Sequence, residues 1–539
     1  MCPACLLFLF LSVRYIESPG VYYDEALQAN TAVYLTQKKV ETGHCSAWDW
    51  EVGGLTIPLM CGEYTGAVKS YVLAPAFYLF GSTAAVMRLT MVMVALLGVL
   101  WTMGFARRAG GDSAGVFAVW LVATDPGLII LARNDWGPVA IAFALRMAAL
   151  YYLLRWWKSG GRRIYLVLAA ALMGLGVWDK TSFLWIMVAL GIAGVYVWLV
   201  NRGRPRLTAK DAAMASIAWL TTSLPLWVYN LGFDWITFRL VKMPGQKVTL
   251  MDLIGFMPRR TEDLLKLMSG GSVAEWMFGK PVPATMGLSE TILAPMAMAA
   301  AIVFLAICLW QRKWSHLGLL LLTAILIAEI YATPRHVSYH HWIGIYPLPQ
   351  LLIGLACGIC WQEAMKMRSP ARVAIGGLLL AALLGTIGAN LAVMRGYHQL
   401  MREEGGAGMW NDAIYPLADL LKRKYADREI RVLDWGVTNQ LMMLSSGQLK
   451  LREHFDWQPN RSRPSEEFAR LLRDPVNVFL IPPEQALAQD AGTQLQMVAA
   501  QAGMTLKTAE QILDRRREVA YTIYAYEPAV NGGPHGADR

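Results

Sequence analysis

Charge is scarce in this chain: Asp, Glu, Lys and Arg make up 16% of its 539 residues, against 55% hydrophobic. Soluble domains carry about 25% charged residues, so an ordinary soluble protein is excluded. The mean hydropathy of +0.37 supports a membrane protein. Histidine and cysteine are also few, at 8 and 7. No HExxH or Cys-rich ligand spacing occurs, so a protein-only zinc site is not indicated. Cys308, Cys357 and Cys360 fall inside apolar runs and read as small buried residues. Cys2 and Cys5 form a CxxC with no further ligand nearby, which argues against a metal or redox role. Cys45 and Cys61 share one polar loop, where a disulfide and two free thiols are both open readings. The net charge of +10 does not indicate nucleic acid, because much of it lies in short loops between apolar runs.

Long apolar runs are what the chain does have. They predict eleven spans, at 2–16, 84–105, 113–132, 137–155, 164–179, 182–200, 211–229, 291–310, 316–332, 342–361 and 373–394. The first is short for a crossing and has no small-residue cleavage site, so it is not read as a removed signal peptide. The Pro-broken stretch 70–81, SYVLAPAFYLFG, reads as re-entrant or interfacial. The expected fold class is therefore an α-helical polytopic membrane protein with a C-terminal soluble α/β domain. The division predicted is 1–394 for the membrane catalytic domain and 395–539 for the extracytoplasmic domain, with a hinge at EEGGAG, 403–408. In the latter, EIRVLDWGV, VNVFLIPP and AYTIYAYE read as strands, and SEEFARLLRD and TAEQILDRRRE as helices. The C-terminal GGPHGADR reads as a disordered tail.

Loop cations set the orientation. Fifteen fall in one set of short loops: Arg107, Arg108, Arg155, Lys158, Arg162, Arg163, Arg202, Arg204, Arg206, Lys210, Arg312, Lys313, Lys366, Arg368 and Arg372. The alternate short loops hold three, Arg133, Lys180 and Arg335. The positive-inside rule then places the N-terminus in the cytoplasm and the C-terminal domain outside. The long loops 17–69 and 230–290 are also outside, and function is expected there. Within the second, DLIGFMPRRTEDLLKLMSG has the pattern of a helix lying on the membrane surface.

Four outer sites carry charges that need a reason. Asp24 and Glu25 stand just beyond the first span, Arg133 and Asp135 in ARNDWGP, Asp179 and Lys180 in WDKTS, and Arg335, His336, His340 and His341 in PRHVSYHHW. Any one alone reads as a polar helix end. Together they place cations at every tight outer turn, where the positive-inside bias depletes them. A lipid-embedded anion such as a prenyl phosphate needs such cations at headgroup level, and an acceptor hydroxyl needs a carboxylate to take its proton. The histidines suit a phosphate or a metal, with phosphate favoured. Arg146 and Glu329 sit deeper in their spans and must face the bundle interior, as a structural pair or in a wet cavity.

The Asp-Glu pair after a short first span, RLTMVMVALLGVLWTMGFARR, Arg-x-Asp at the outer end of the third span, and the Tyr-Pro of HHWIGIYPLPQLLIG together resemble the GT-C glycosyltransferases over residues 1–395. The nearest branch is similar to the bacterial members related to protein O-mannosyltransferases and aminoarabinose transferase. That resemblance implies a hexosyl- or pentosyltransferase that uses a polyprenyl-phosphate-linked sugar at the outer face of the cytoplasmic membrane, with a lipid, glycan or protein acceptor. It implies Asp24 as the catalytic residue, with Glu25 beside it. Arg133 and Asp135 match the second-loop motif, and Lys180 a lysine near the donor phosphate. The chain departs from the usual pattern at RHVSYHH.

The expected reaction is a direct displacement with inversion, with Asp24 as general base. Lys69, Arg133, Asp135, Lys180, Arg335, His336, His340 and His341 are expected around the donor phosphate. The reading requires no cofactor, leaves room for a divalent metal, and involves membrane lipids but no nucleic acid. A polytopic transporter or lipid flippase is the alternative, but the charges gather at the outer face and no repeat relates the two halves.

Overall fold

The computed structural model describes residues 2–37, 47–201, 205–241, 249–333, 337, 339–434, 436–454, 466–482, 491–501 and 503–526. The first elements are α1 (Pro3–Val13), α2 (Tyr23–Thr36), β1 (Trp48–Val52), β2 (Leu55–Gly62), β3 (Thr65–Gly66), α3 (Val68–Phe80), α4 (Ala84–Thr124), α5 (Pro126–Asn134), α6 (Val139–Lys158) and α7 (Arg163–Asp179). There follow α8 (Phe183–Val200), α9 (Ala209–Gly232), α10 (Ile236–Val241), α11 (Leu250–Ser269), α12 (Val273–Phe278), α13 (Leu293–Trp310), α14 (Leu317–Ala332), α15 (Tyr339–Trp342), α16 (Leu348–Met365) and α17 (Ser369–Glu403). The rest are α18 (Ile414–Lys424), β4 (Glu429–Val432), α19 (Thr438–Leu444), β5 (Lys450–Glu453), α20 (Glu466–Arg473), β6 (Asn477–Ile481), α21 (Ala491–Gln501), β7 (Leu506–Leu513) and β8 (Val519–Tyr526).

The chain divides into two compact units. The first comprises Met1–Ile16, Ser46–Ala76 and Ala85–Leu400, and the second Glu17–Cys45, Phe77–Ala84 and Met401–Arg539. A single cut at residue 394 would leave 17–45 and 77–84 in the first.

The first unit is a helical bundle of a multi-pass membrane protein. The expected spans fall on helical segments, with 113–132 divided between α4 and α5 and 342–361 running from the end of α15 into α16. Among the described residues seven helical stretches are long and apolar enough to cross a membrane: α4, α6, α8, Trp314–Ala332, α13, Tyr339–Met365 and α17. α4 is two helices joined at Gly111, where the backbone is extended in ψ with φ of 86°, so two expected spans share it. The stretch 70–81 lies largely within α3, a 13-residue helix containing Pro75. Small residues let helices approach closely: a Cβ on Gly354 or Gly358 would stand 2.8 or 2.6 Å from the Cβ of Ala118 or Ala114. Asp125 caps α5 by accepting the Leu128 N–H at 2.9 Å, and also accepts from Gln350 of α16 at 2.9 Å. α1, of 11 residues, is tied at its far end: Arg133 donates to the Tyr15 carbonyl, Arg88 to that of Ile16, and His398 lies 2.9 Å from that of Leu11.

α11 takes the amphipathic form expected of 252–270. Thr249 and Asp252 form its capping box, and Met251 and Leu265 are exposed while Arg260 is buried, donating to the Tyr331 and Thr333 carbonyls. The pairing of Cys45 with Cys61 lies outside the described residues, as do the C-terminal tail, Arg335 and His336.

The second unit is a three-layer α/β sandwich with strand order β5-β4-β6-β8-β7. β4 is parallel to β5 and β6, and β8 is antiparallel to β6 and β7. β6 shows why it is central: Val478 and Leu480 join a core with Leu417 and Leu441, whereas Phe479 and Ile481 join one with Leu472 and Leu495. This two-sided burial is what a continuous apolar strand requires. The expected helix over 508–518 is instead strand β7 and the turn after it. Ala, Glu, Gln, Leu and Arg favour helix, but pairing with β8 satisfies the backbone here, and burial is confined to Leu506 and Ile512. Lys507, Glu510 and Gln511 then dress an edge strand with polar side chains.

The expected hinge at 403–408 is a packed turn in this unit. Gly405 accepts the N–H groups of Gly20 and Asp412. The segment before α2 is bound here as well: Gly20 also donates to the Trp410 carbonyl at 2.7 Å, Tyr22 stacks on Trp410 at 4.3 Å, and Asn30 of α2 donates to Asn439 of α19 at 2.6 Å.

Candidate active site

In the first unit the polar turn 134–138 reverses the chain between α5 and α6. Asp135 adopts a left-handed conformation at the end of α5, with φ of 43°. Its Oδ1 accepts the N–H groups of Val139 and Ala140 at 2.9 and 2.8 Å, capping α6. Its Oδ2 lies 2.6 Å from Lys69 Nζ, and both side chains are buried. A short acidic side chain in a turn thus fixes the start of one helix and a distant lysine at once.

Gly137 completes the turn with φ of 65°, and a Cβ there would stand 2.7 Å from Lys180 Nζ. Glycine therefore leaves the room that the lysine head occupies. Lys180 follows α7, and its backbone bridges to Thr65. Beside it Asp179 is fully buried, within electrostatic reach of Asp135, Lys180 and Lys69, and neither carboxylate oxygen has a hydrogen-bond partner among the described residues.

A small cavity of about 40 Å³ opens beside Lys180. Its polar lining includes Lys180, Ser182, His340, His341 and Arg146, and its apolar lining includes Phe183, Ile186 and Leu326. The ring of His340 lies 4.0 Å from that of His341 and 5.2 Å from Trp136. Arg146 donates to the Tyr346 carbonyl at 2.6 Å, and its Nε has no partner among the described residues. Arg146, Phe183 and Ile186 also line a second, largely apolar crevice of about 10 Å³ that reaches Met187 and Leu190. Cationic groups at one end and an apolar extension beyond are what an anion carrying a hydrocarbon tail requires.

The expected site residues therefore divide. Lys180, His340 and His341 line the cavity, and Asp135 and Lys69 pair behind it. Arg133 is fully buried, donates to the Tyr15 carbonyl at 2.8 Å and lies 5.9 Å from the Tyr397 ring. Glu329 is half-buried on α14, and no ion pair joins it to Arg146 among the described residues. Arg146 was legible as a charge within a span, but its place in the cavity was not.

In the second unit Asp24 and Glu25 open α2. Glu25 is buried and accepts the Tyr22 N–H at 3.2 Å, so it acts as a helix cap. Asp24 is half-buried.

No protein-family model matches the chain, and no curated protein matches it. Solved structures do. ArnT from Cupriavidus metallidurans superposes with a TM-score of 0.60 at 14% identity, covering 97% of this chain and 96% of that one. The chain has the GT-C glycosyltransferase fold. The same ArnT bound to undecaprenyl phosphate superposes equally, with 97% of each chain covered. The oligosaccharyltransferase of Archaeoglobus fulgidus, tethered to an acceptor peptide, gives a TM-score of 0.54 at 12% identity, over 94% of this chain and 68% of that one. The GT-C fold thus describes nearly the whole chain, including the C-terminal sheet.

Proposed function

We propose that this protein is a membrane glycosyltransferase that moves a sugar from a polyprenyl-phosphate-linked donor to a hydroxyl acceptor. The carrying observation is the cavity lined by Lys180, Arg146, His340 and His341 and continued by apolar residues, in a chain with the GT-C fold. The ArnT neighbour bound to undecaprenyl phosphate supports a polyprenyl phosphate as the ligand class.

In the proposed reaction a carboxylate, the role that the sequence resemblance gives Asp24, takes the proton of the acceptor hydroxyl, and that oxygen bonds to the anomeric carbon with inversion. The bond from carbon to phosphate oxygen breaks, its electron pair leaves with the prenyl phosphate, and the sugar inverts. Lys180 and Arg146 stabilise the charge that gathers on the departing phosphate. Lys69 and Arg133, held by Asp135 and the Tyr15 carbonyl, support the turn behind. The loop cations orient the C-terminus outside the cytoplasmic membrane. A reporter fused after Arg539 and active only in the cytoplasm would overturn that orientation.

Lys180→Ala removes a charge-assisted contact to phosphate worth about 1.5–3 kcal/mol, so affinity for a short-chain prenyl phosphate is expected to fall roughly ten- to a hundredfold. Unchanged affinity in a folded variant would move the phosphate site elsewhere. Purified protein given a radiolabelled prenyl-phosphate sugar separates the alternatives: transfer or hydrolysis marks an enzyme, and protected uptake into vesicles a carrier.

A further inference from the structure

The hairpin β1–β2 has two unlike faces. Val52 pairs with Leu55 and Trp50 with Ile57, which sets these four on one side, while Glu51 pairs with Thr56 and Asp49 with Pro58 on the other. Thr56 Oγ1 donates to Glu51 at 3.0 Å on the polar face. The apolar face is not covered: Trp50 is 59% exposed, Val52 44% and Leu55 70%.

The base of the hairpin sits at the ends of two apolar helices. Trp178 of α7 donates from Nε1 to the Leu59 carbonyl at 2.8 Å, and the Thr181 N–H donates to that of Tyr64 at 3.1 Å. The ring of Trp48 lies 6.0 Å from Tyr229 and 6.5 Å from Phe233, at the end of α9. α9 exposes Leu220, Leu224, Val228 and Leu231 along one stripe. Aromatic rings closing an exposed apolar stripe mark the headgroup level of a membrane. The apolar face of the hairpin therefore continues the lipid-facing surface of the bundle.

We propose that β1–β2 is a membrane-surface anchor, with Trp50, Val52 and Leu55 set into the headgroup and upper acyl region of the surrounding lipid and the exposed Glu51 turned to water. The turn Gly53–Gly54 closes the wedge at its tip. The occupant is phospholipid, and recognition is by apolar area rather than charge, because the face carries no cation.

The test places a benzophenone-bearing residue at Leu55, Glu51 or Leu378 in the full chain, in liposomes of phosphatidylethanolamine and phosphatidylglycerol. Leu378 of α17 is 70% exposed on a candidate span and is the positive control. On irradiation, phospholipid adducts are expected at Leu55 and Leu378, with roughly tenfold less at Glu51. Adducts at Leu378 without any at Leu55, equal yields at Leu55 and Glu51, or capture of a second protein copy at Leu55 would each overturn the anchor. Only preparations whose melting matches the unlabelled protein are compared. The outcome does not depend on the reaction proposed above.

Discussion

Asp24→Asn is expected to lower sugar transfer by about 10²- to 10⁴-fold, the contribution of a positioned general base. An acceptor hydroxyl is a poor nucleophile at neutral pH, and the asparagine amide keeps the size and polarity of the carboxylate while removing its basicity. Asp24 lies in the first turn of α2 and is half-buried, and the Glu25 cap on the Tyr22 N–H is untouched by the change. Expression, melting and donor binding should stay near those of the parent. Glu25→Gln tests a different property, because Glu25 caps α2 through the Tyr22 N–H. A capping change typically costs about 1 kcal/mol, so it should lower melting slightly and turnover less than Asp24→Asn. The measurements are single-turnover transfer and the configuration of the product. Near-parental turnover in Asp24→Asn would remove the base assignment, and retention at the sugar carbon would remove the direct displacement.

Breaking the buried pair of Lys69 and Asp135 should have the largest effect on stability. Removing one member of a buried ion pair typically costs about 3–5 kcal/mol, because the other charge is left without compensation. Lys69→Met strands the Asp135 carboxylate, whose Oδ1 still caps α6. The double variant Lys69→Met with Asp135→Asn leaves a neutral amide that retains a capping oxygen. It should recover much of the lost stability, which thermal unfolding in detergent measures. Parental melting in the single variant, or strictly additive losses in the double, would show that the pair carries no such energy. Donor affinity reads a second property: if Lys69 only supports the turn, the double variant binds prenyl phosphate nearly as the parent does.

What the sequence determined by itself was local. Hydropathy adds residue by residue over about 20 positions, so the apolar runs that become the helices of the bundle are legible in the sequence, seven helical stretches among the described residues being long and apolar enough to cross a membrane. The polar turns at 133–138 and 178–182 were legible because charges next to apolar runs need partners. The apolar run VNVFLI likewise announced a buried strand, realised as β6.

What only the tertiary structure decided was pairing. Lys69 and Asp135 are far apart in the chain, and nothing local in either segment signals that they meet. The same holds for Asn30 and Asn439, whose hydrogen bond draws α2 into the second unit. At 506–513 the local signal was misleading: helix-favouring side chains form β7, because the partner strand β8 offers the backbone its hydrogen bonds. Arg146 was visible as a costly charge in a span, but its role as the point shared by two cavities arises from the packing of α6 beside α8 residues Phe183 and Ile186. Burial and partner choice depend on contacts between residues remote in sequence, and those are fixed only when the chain packs.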